Sequence, residues 1–445
     1  MNMKKPYSDI IWNPVELLTH HQLTSDLIPE MLVRQLTQVK KYSPFYRIKL
    51  AGLTIPDKGG ILDFHKSLPF TDKSELLADQ EQFPPLGSNL TVRESKTQRI
   101  NRTSGTTGAP LLLALTPKDI LNTYECGARC FYASGLRRHH TVIHCMNYCM
   151  WAGGYTDHGS LEHLGAAVIP FGIGNSKMLI ETILRIRPQA LHATPSYLAK
   201  LQDVLNKDFG LAPTDLGLQL GLFGGEAGLQ DLNFRNWIEQ IWGFKAMNAN
   251  YGCADVLSMF GAECHERSGL HFMGQGVLYP TLIDMNTGQN ITIEPAAAGE
   301  LVLTNLVKQA QPLIRYRTHD IIEILSTGRC LCGRGSFRFK VLGRNDDMIV
   351  IKGINVFPTA IQKVINENLD YLNGQYVILV NKVDPIDRML IRAEVRPESP
   401  EPISFISRLQ SAFVTHLAIR PEIELIAEGT LPRMENKTKR LQRIL

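Results

Sequence analysis

Between Leu17 and Lys49 the apolar positions Leu27, Met31, Leu32 and Leu36 recur at helical spacing. The spacing predicts a helical N-terminal segment that stops at Ser43-Pro44-Phe45-Tyr46-Arg47. A second helix is predicted from Pro117 to Leu136, with Asp119 near its start and Gly135 at its end. The pattern then changes. Thr141–Cys145, Leu164–Pro170, Ala190–Pro195 and Leu218–Phe223 are short, nearly continuous apolar runs, and a helical stretch from Asn175 to Arg187 separates two of them. Strands apolar on both faces, alternating with helices, belong to a parallel sheet covered on both sides. From Glu300 to Leu325 the pattern is strand-rich. Residues 356–427 read as a small α+β unit: helices from Thr359 and Ile403, with strands near Tyr376–Val380, Leu390–Val395 and Ile423–Ile426. The expectation from the pattern is an α/β protein that ends in a small α+β unit.

Composition narrows this little. The chain has 445 residues, 44% hydrophobic and 20% charged, as in ordinary soluble proteins. A net charge of +4 without a basic stripe interleaved with aromatics does not argue for nucleic acid. No run of about 20 apolar residues predicts a membrane span. Eight cysteines spread along the chain, with no visible signal segment, suit reduced thiols in the cytoplasm. Cys126 and Cys130, four apart on a helix, read as small core residues.

The first candidate chemistry is Arg102-Thr103-Ser104-Gly105-Thr106-Thr107-Gly108-Ala109-Pro110. Its glycines let backbone N–H groups turn toward a ligand, and its hydroxyls add short donors, which together make a nest for phosphate oxygens. No Lys follows the second glycine, so this is not the P-loop of nucleotide triphosphatases. Gly224-Gly225-Glu226 opens from the carboxyl end of a predicted parallel strand, where such sheets bind ligands. Cys330-Leu331-Cys332-Gly333 is a tight cysteine pair, and Cys264 and His271 lie about sixty residues earlier. Together they make a Cys₃His set suited to a closed, structural Zn²⁺ site, with His265 as an alternative ligand. The plainer reading is four residues that never meet.

In this order the motifs resemble the phenylacetate–CoA ligase branch of the adenylate-forming enzymes, along nearly the whole chain. The hydroxyl-rich loop Thr103 to Gly108 matches the family's phosphate loop. Asn147-Tyr148-Cys149-Met150-Trp151-Ala152-Gly153-Gly154 matches the segment that lines its acyl pocket. Tyr148, Trp151, Gly154 and Phe223 are thereby candidates for the acyl wall, and His158 falls where the family has a His. The resemblance makes Gly225 and Glu226 an adenine edge. In Tyr251-Gly252-Cys253-Ala254-Asp255 it implies a Tyr stacked on adenine and a carboxylate that reaches Mg²⁺. Pro312-Leu313-Ile314-Arg315-Tyr316-Arg317-Thr318-His319-Asp320 carries the Asp that takes the ribose hydroxyls. Val341 to Ile349 resembles the interdomain hinge, with Arg344 near the ribose and Asp346 as the pivot, which implies a large N-terminal domain, residues 1–343, and a small mobile domain, residues 344–445. Lys437, in Leu431-Pro432-Arg433-Met434-Glu435-Asn436-Lys437, occupies the position of the adenylating lysine.

The resemblance implies a two-step reaction. A carboxylic acid, aryl or arylacetic, attacks ATP to give an acyl-adenylate and pyrophosphate. The C-terminal domain then turns and a thiol, CoA by expectation, takes the acyl group. Transfer to a carrier protein or an amine stays open here, as does a non-catalytic nucleotide- or acyl-binding role. Three departures bear on this choice: Ala109 where the family has Lys, Asp255 for Glu, and His319 for Gly. No nucleic acid or membrane partner is expected, and a homodimer is implied by the family alone.

Overall fold

The computed structural model describes residues 5–103, 110–226, 229–351, 354–381, 386, 388–397, 402–432 and 440–444. Helix α1 (Ile28–Tyr42) buries Leu32, Leu36 and Val39 on one face. It ends at Ser43, whose hydroxyl accepts from the Tyr46 N–H and so caps the next short helix. The Tyr46 hydroxyl then meets Thr71 at 3.1 Å and accepts from the Ile314 N–H at 2.9 Å. Thr71 exchanges backbone bonds with Arg315 and Arg317. The segment at Ser43 and the chain at Thr71 thus converge on the stretch that leads to Asp320.

Strands β1 (Arg99–Arg102) and β2 (Leu112–Leu115) form a separate antiparallel hairpin that carries the hydroxyl-rich loop. The main sheet has twelve strands. Its parallel part holds β3 (Thr141–His144), β4 (Ala167–Ile169), β5 (Ala190–Ala193) and β6 (Leu220–Gly224), in the order β4-β3-β5-β6. Strand β7 (Lys245–Cys253) pairs parallel with β6 along its first part. Near its end it pairs antiparallel with β8 (Leu257–Ala262). Beyond β8 the sheet is antiparallel, through β9 (Leu270–Phe272), β10 (Leu278–Ile283), β11 (Asn290–Ile291), β12 (Ala298–Asn305), β13 (Tyr316–Ser326) and β14 (Arg338–Arg344).

Strand alternation sends successive side chains to opposite faces. Val142, Ala190 and Leu222 pack with α2 (Pro117–Ala133) and α3 (Ala152–Leu164). Ile143, Leu191 and Phe223 pack on the other face, against α4 (Ser176–Ile186) and α5 (Leu232–Trp242). Cys126 and Cys130 are buried on α2, as small core residues should be.

After β14 a short turn, Asn345–Asp347, leads to a hairpin of β15 (Ile349–Ile351) and β16 (Ile354–Val356). A four-stranded sheet follows, ordered β19 (Glu422–Ala427), β18 (Met389–Val395), β17 (Leu372–Val380), β20 (Leu441–Arg443). With helices α6 (Pro358–Asn366) and α7 (Pro402–Leu417) it encloses its own core around Ile361, Ile378, Ile391 and Phe413. This is the separate C-terminal domain. Strand β20 gives no signal in the apolar pattern; it pairs parallel with β17. Among the described residues no helix is long and apolar enough to cross a membrane.

Candidate active site

Asp320 and Arg344 are register partners across β13 and β14. Arg344 Nη1 donates to Asp320 Oδ1 at 3.0 Å, and its Nε and Nη2 clasp both oxygens of Asp346 at 2.8 and 2.7 Å. The Tyr251 hydroxyl donates to Asp320 Oδ2 at 2.8 Å. Burial first, then the Asp320 carboxylate, holds that phenol well above its ordinary pKa, so it stays a donor. Burial would lower Arg344, but Asp346 and Asp320 outweigh it and hold the guanidinium above its usual value. Four residues from three separate stretches of the chain therefore form one polar corner. Gly252 sits at the foot of this corner because a Cβ there would lie 2.0 Å from the Ser258 carbonyl. Gly225 adopts φ +77°, and the Ser196 hydroxyl donates to Glu226 at 2.9 Å.

Asp255 is buried just past the end of β7. Its Oδ2 accepts from the Tyr316 hydroxyl at 3.1 Å, and Lys308 Nζ donates to its backbone carbonyl at 2.9 Å. Its Oδ1 is buried without a hydrogen bond, 3.8 Å from Lys73 Nζ. A carboxylate oxygen left so is able to accept from a hydrated cation.

Thr103 is buried, and its N–H and hydroxyl exchange bonds with Leu111, each 3.0 Å. They pinch together the two ends of the loop. Ser104, Gly105, Thr106, Thr107, Gly108 and Ala109 lie outside the described residues, as does Lys437. The chain on either side of Lys437 is anchored: the Leu431 N–H donates to Glu394 at 2.6 Å, and the Ile378 N–H donates to the Arg440 carbonyl at 2.7 Å.

Of the acyl-wall candidates, three come together. Gly154 has no room for a side chain, since a Cβ would lie 2.2 Å from the Asn147 carbonyl, so α3 starts in direct contact with the 147–148 backbone. The Tyr148 ring packs 5.3 Å from Tyr155, and its hydroxyl meets His158 Nδ1 at 2.9 Å. Trp151 bridges to Arg102 at the end of β1, and the Arg102 N–H donates to the Met150 carbonyl at 2.8 Å. Phe223 does not join them. It is fully buried on the α4–α5 face of the sheet, 5.8 Å from Phe244, and the expected role is corrected accordingly. An apolar strand run does not reveal which face a residue takes.

The four candidate zinc ligands do meet. Arg338 on β14 pairs with His271 on β9. The Sγ atoms of Cys264, Cys330 and Cys332 and an imidazole nitrogen of His271 lie within 4.8 Å of one another, all buried. The alternative, His265, is turned outward to Glu266.

Comparison with known proteins agrees with this geometry. Residues 353–443 match the AMP-binding enzyme C-terminal domain. Phenylacetate-coenzyme A ligase of Pseudomonas putida is 32% identical over 431 residues, covering 95% of this chain and 93% of that enzyme. The Escherichia coli K12 enzyme of the same name is 28% identical over 438 residues, 96% of each chain. The chain belongs to the phenylacetate–CoA ligase family. It is an AMP-forming acid–CoA ligase, which uses ATP to turn a carboxylic acid into an acyl-adenylate and passes the acyl group to CoA. Its fold is that of 2-hydroxyisobutyryl-CoA ligase in the postadenylation state with 2-HIB-AMP. The TM-score is 0.89 at 24% identity, over 99% of this chain and 93% of that one. Against the same ligase with 2-HIB-AMP and CoA in the thioesterification state the TM-score is 0.70 at 25% identity, over 98% and 92%. The two domains here are thus arranged as in the former.

Within the family frame the departure at His319 has a backbone explanation. His319 adopts φ +61°, a left-handed conformation that glycine takes without strain. Its Nε2 lies 3.0 Å from Asp72, and that bond raises the imidazole pKa.

Proposed function

We propose that this family member activates an aryl or arylacetic acid. The observation that carries the proposal is the Tyr148–Tyr155 ring pair beside the close Gly154 contact, with Trp151 at the start of the same helix. The names of the relatives, phenylacetate ligases, support it. In this reading Asp320 binds both ribose hydroxyls, because a carboxylate offers several acceptor sites to two adjacent donors. Arg344 holds that carboxylate, Tyr251 stacks on adenine, and Gly225 and Glu226 border its edge. Thr103 to Gly108 bind the phosphates. Lys437 bridges the attacking carboxylate and the α-phosphate and offsets the charge that develops there.

Mg²⁺ would neutralise phosphate charge. Asp255 is the residue to hold it, through water at the unbonded Oδ1, since its side chain is one methylene shorter than Glu. Cys264, His271, Cys330 and Cys332 suit structural Zn²⁺. A tetrahedral site with Zn–S bonds of about 2.3 Å needs S···S edges of about 3.8 Å, and Cys264 Sγ is 3.9 Å from Cys330 Sγ. His271 Nδ1 lies 3.3 Å from the Ser336 hydroxyl, the second contact that orients a ligating imidazole.

Asp346 is the pivot, with the domains divided at about residues 343 and 344. Its bond to Arg344 must break for the C-terminal domain to turn, withdraw Lys437 and admit CoA. We also read the enzyme as cytoplasmic, from eight thiols left free, and as a homodimer, as the family implies. Acid-dependent ATP–pyrophosphate exchange over aryl, arylacetic and short aliphatic acids tests the substrate class. Strongest exchange with an arylacetic acid is expected. Exchange confined to short aliphatic acids would overturn it.

A further inference from the structure

Two histidines outside the scheme above occupy matching register on adjacent parallel strands, His144 on β3 and His192 on β5. Both are fully buried. Their rings stack at 5.0 Å and 8°, with the two Nδ1 atoms 2.8 Å apart. His144 Nε2 lies 2.9 Å from the Gly154 carbonyl. His192 Nε2 has no hydrogen bond and faces Asp157 Oδ2 at 3.8 Å, while Phe131 seals the ring edge-on. Asp157, also fully buried, accepts from Asn250 Nδ2 at 2.6 Å.

Counting protons orders this chain. A carbonyl only accepts, so His144 carries hydrogen on Nε2. Its Nδ1 then accepts, and His192 donates from Nδ1. His192 Nε2 is left as a lone pair aimed at the Asp157 carboxyl. Across this gap stands either a neutral carboxyl beside a neutral imidazole or a carboxylate beside an imidazolium. The separation of 3.8 Å is too long for a hydrogen bond of either kind. Burial raises Asp157 and lowers both imidazoles, which favours the neutral form.

One end of the chain holds the first turn of α3. The other holds Asn250, next to Tyr251 on β7. We propose that His144, His192 and Asp157 are positioning residues, an uncharged relay bonded from Gly154 to His192 and from Asp157 to Asn250, with an unbonded contact between, that fixes the acyl wall relative to the nucleotide strand and so presents the acid to ATP. The inference rests on the acyl-wall reading given above.

The test uses the full-length enzyme and steady-state kinetics. His192→Phe keeps the ring and removes the relay; acid KM rises about tenfold, the worth of roughly one to two hydrogen bonds. KM for ATP stays unchanged. Asp157→Ala, which removes the acceptor of Asn250, gives a similar loss. Nitrogen-15 spectra of histidine-labelled wild-type enzyme, which need no variant, show neutral rings with hydrogen on Nδ1 of His192 and Nε2 of His144. An imidazolium at His192, or an Asp157→Ala enzyme with the wild-type KM for the acid, overturns the neutral relay. Trp151→Ala separates the two readings. If it raises acid KM while His192→Phe does not, the relay fails and the wall stands. If Trp151→Ala leaves acid KM unchanged, the wall itself fails.

Discussion

The nucleotide corner and the acyl wall are built on opposite principles. At the corner, charged groups hold one another: Asp320, Arg344 and Asp346 form a chain of ion pairs, and Tyr251 is bonded into it. At the wall, contacts are aromatic and backbone-close, and the groups beneath it form the uncharged relay proposed above. In the reading proposed above, the difference follows from what each binds. The ribose and phosphates of ATP present the same donors and charges every turnover, so fixed charges can be placed against them. An apolar acid is held by shape, and charge beneath its pocket would cost desolvation with nothing to offset it. Polar strength is spent on the constant substrate and packing on the variable one.

This contrast can be broken in graded steps. Lys437→Ala should give the largest effect, a fall of about 10²–10³-fold in ATP–pyrophosphate exchange, the scale of one lost group at developing charge. Unchanged exchange would remove Lys437 from the first half-reaction. Asp320→Ala comes next. Losing bonds to a charged acceptor, each worth about 1.5–3 kcal/mol, should raise KM for ATP by roughly 10–100-fold with little change in acid preference. A loss of acid preference instead would merge the two regions. Trp151→Ala should move selectivity among acids by about tenfold and leave KM for ATP alone, since one lost apolar contact discriminates by only about 1–3 kcal/mol. The smallest effect belongs to His319→Gly, measured as melting temperature against pH. Relief of the left-handed strain opposes loss of the bond to Asp72, so the net change should stay within about 1 kcal/mol. The Asp72 bond raises His319 and lowers Asp72. The pair therefore stabilises fully between their two ordinary pKa values. Its contribution fades as pH rises through the raised histidine value, and also as pH falls through the lowered carboxylate value. The wild-type advantage should shrink toward alkaline pH; an advantage that grows there would contradict the pair.

The same contrast explains what could be read from the chain. Tyr251, Asp320 and Arg344 lie in contiguous motifs because an invariant ligand demands fixed residue types, and the structure joins them. The βαβ half was legible because strands buried on both faces leave continuous apolar runs. Phe223 escapes the same reading because such runs hide which face a side chain takes. The cysteines and His271 could be named as ligands but not brought together, since their meeting depends on β9 pairing with β14. His144 and His192 were invisible as a pair: 48 residues apart, they become neighbours only through the register of β3 on β5. Strand β20 is three residues long, too short for periodicity to register.

Strand β7 carries one more implication. It bonds parallel to the acyl half on one edge and antiparallel to the nucleotide half near its end. The junction between the halves is therefore a single strand, with Asn250 bonded to Asp157 on one side and Tyr251 to Asp320 on the other. The segment from β3 to β6, residues 141–224, holds the proposed acyl wall but neither the phosphate loop nor Gly225. Exchanging that block between relatives should carry the acid preference with it and leave the proposed ATP-binding residues in their original sequence.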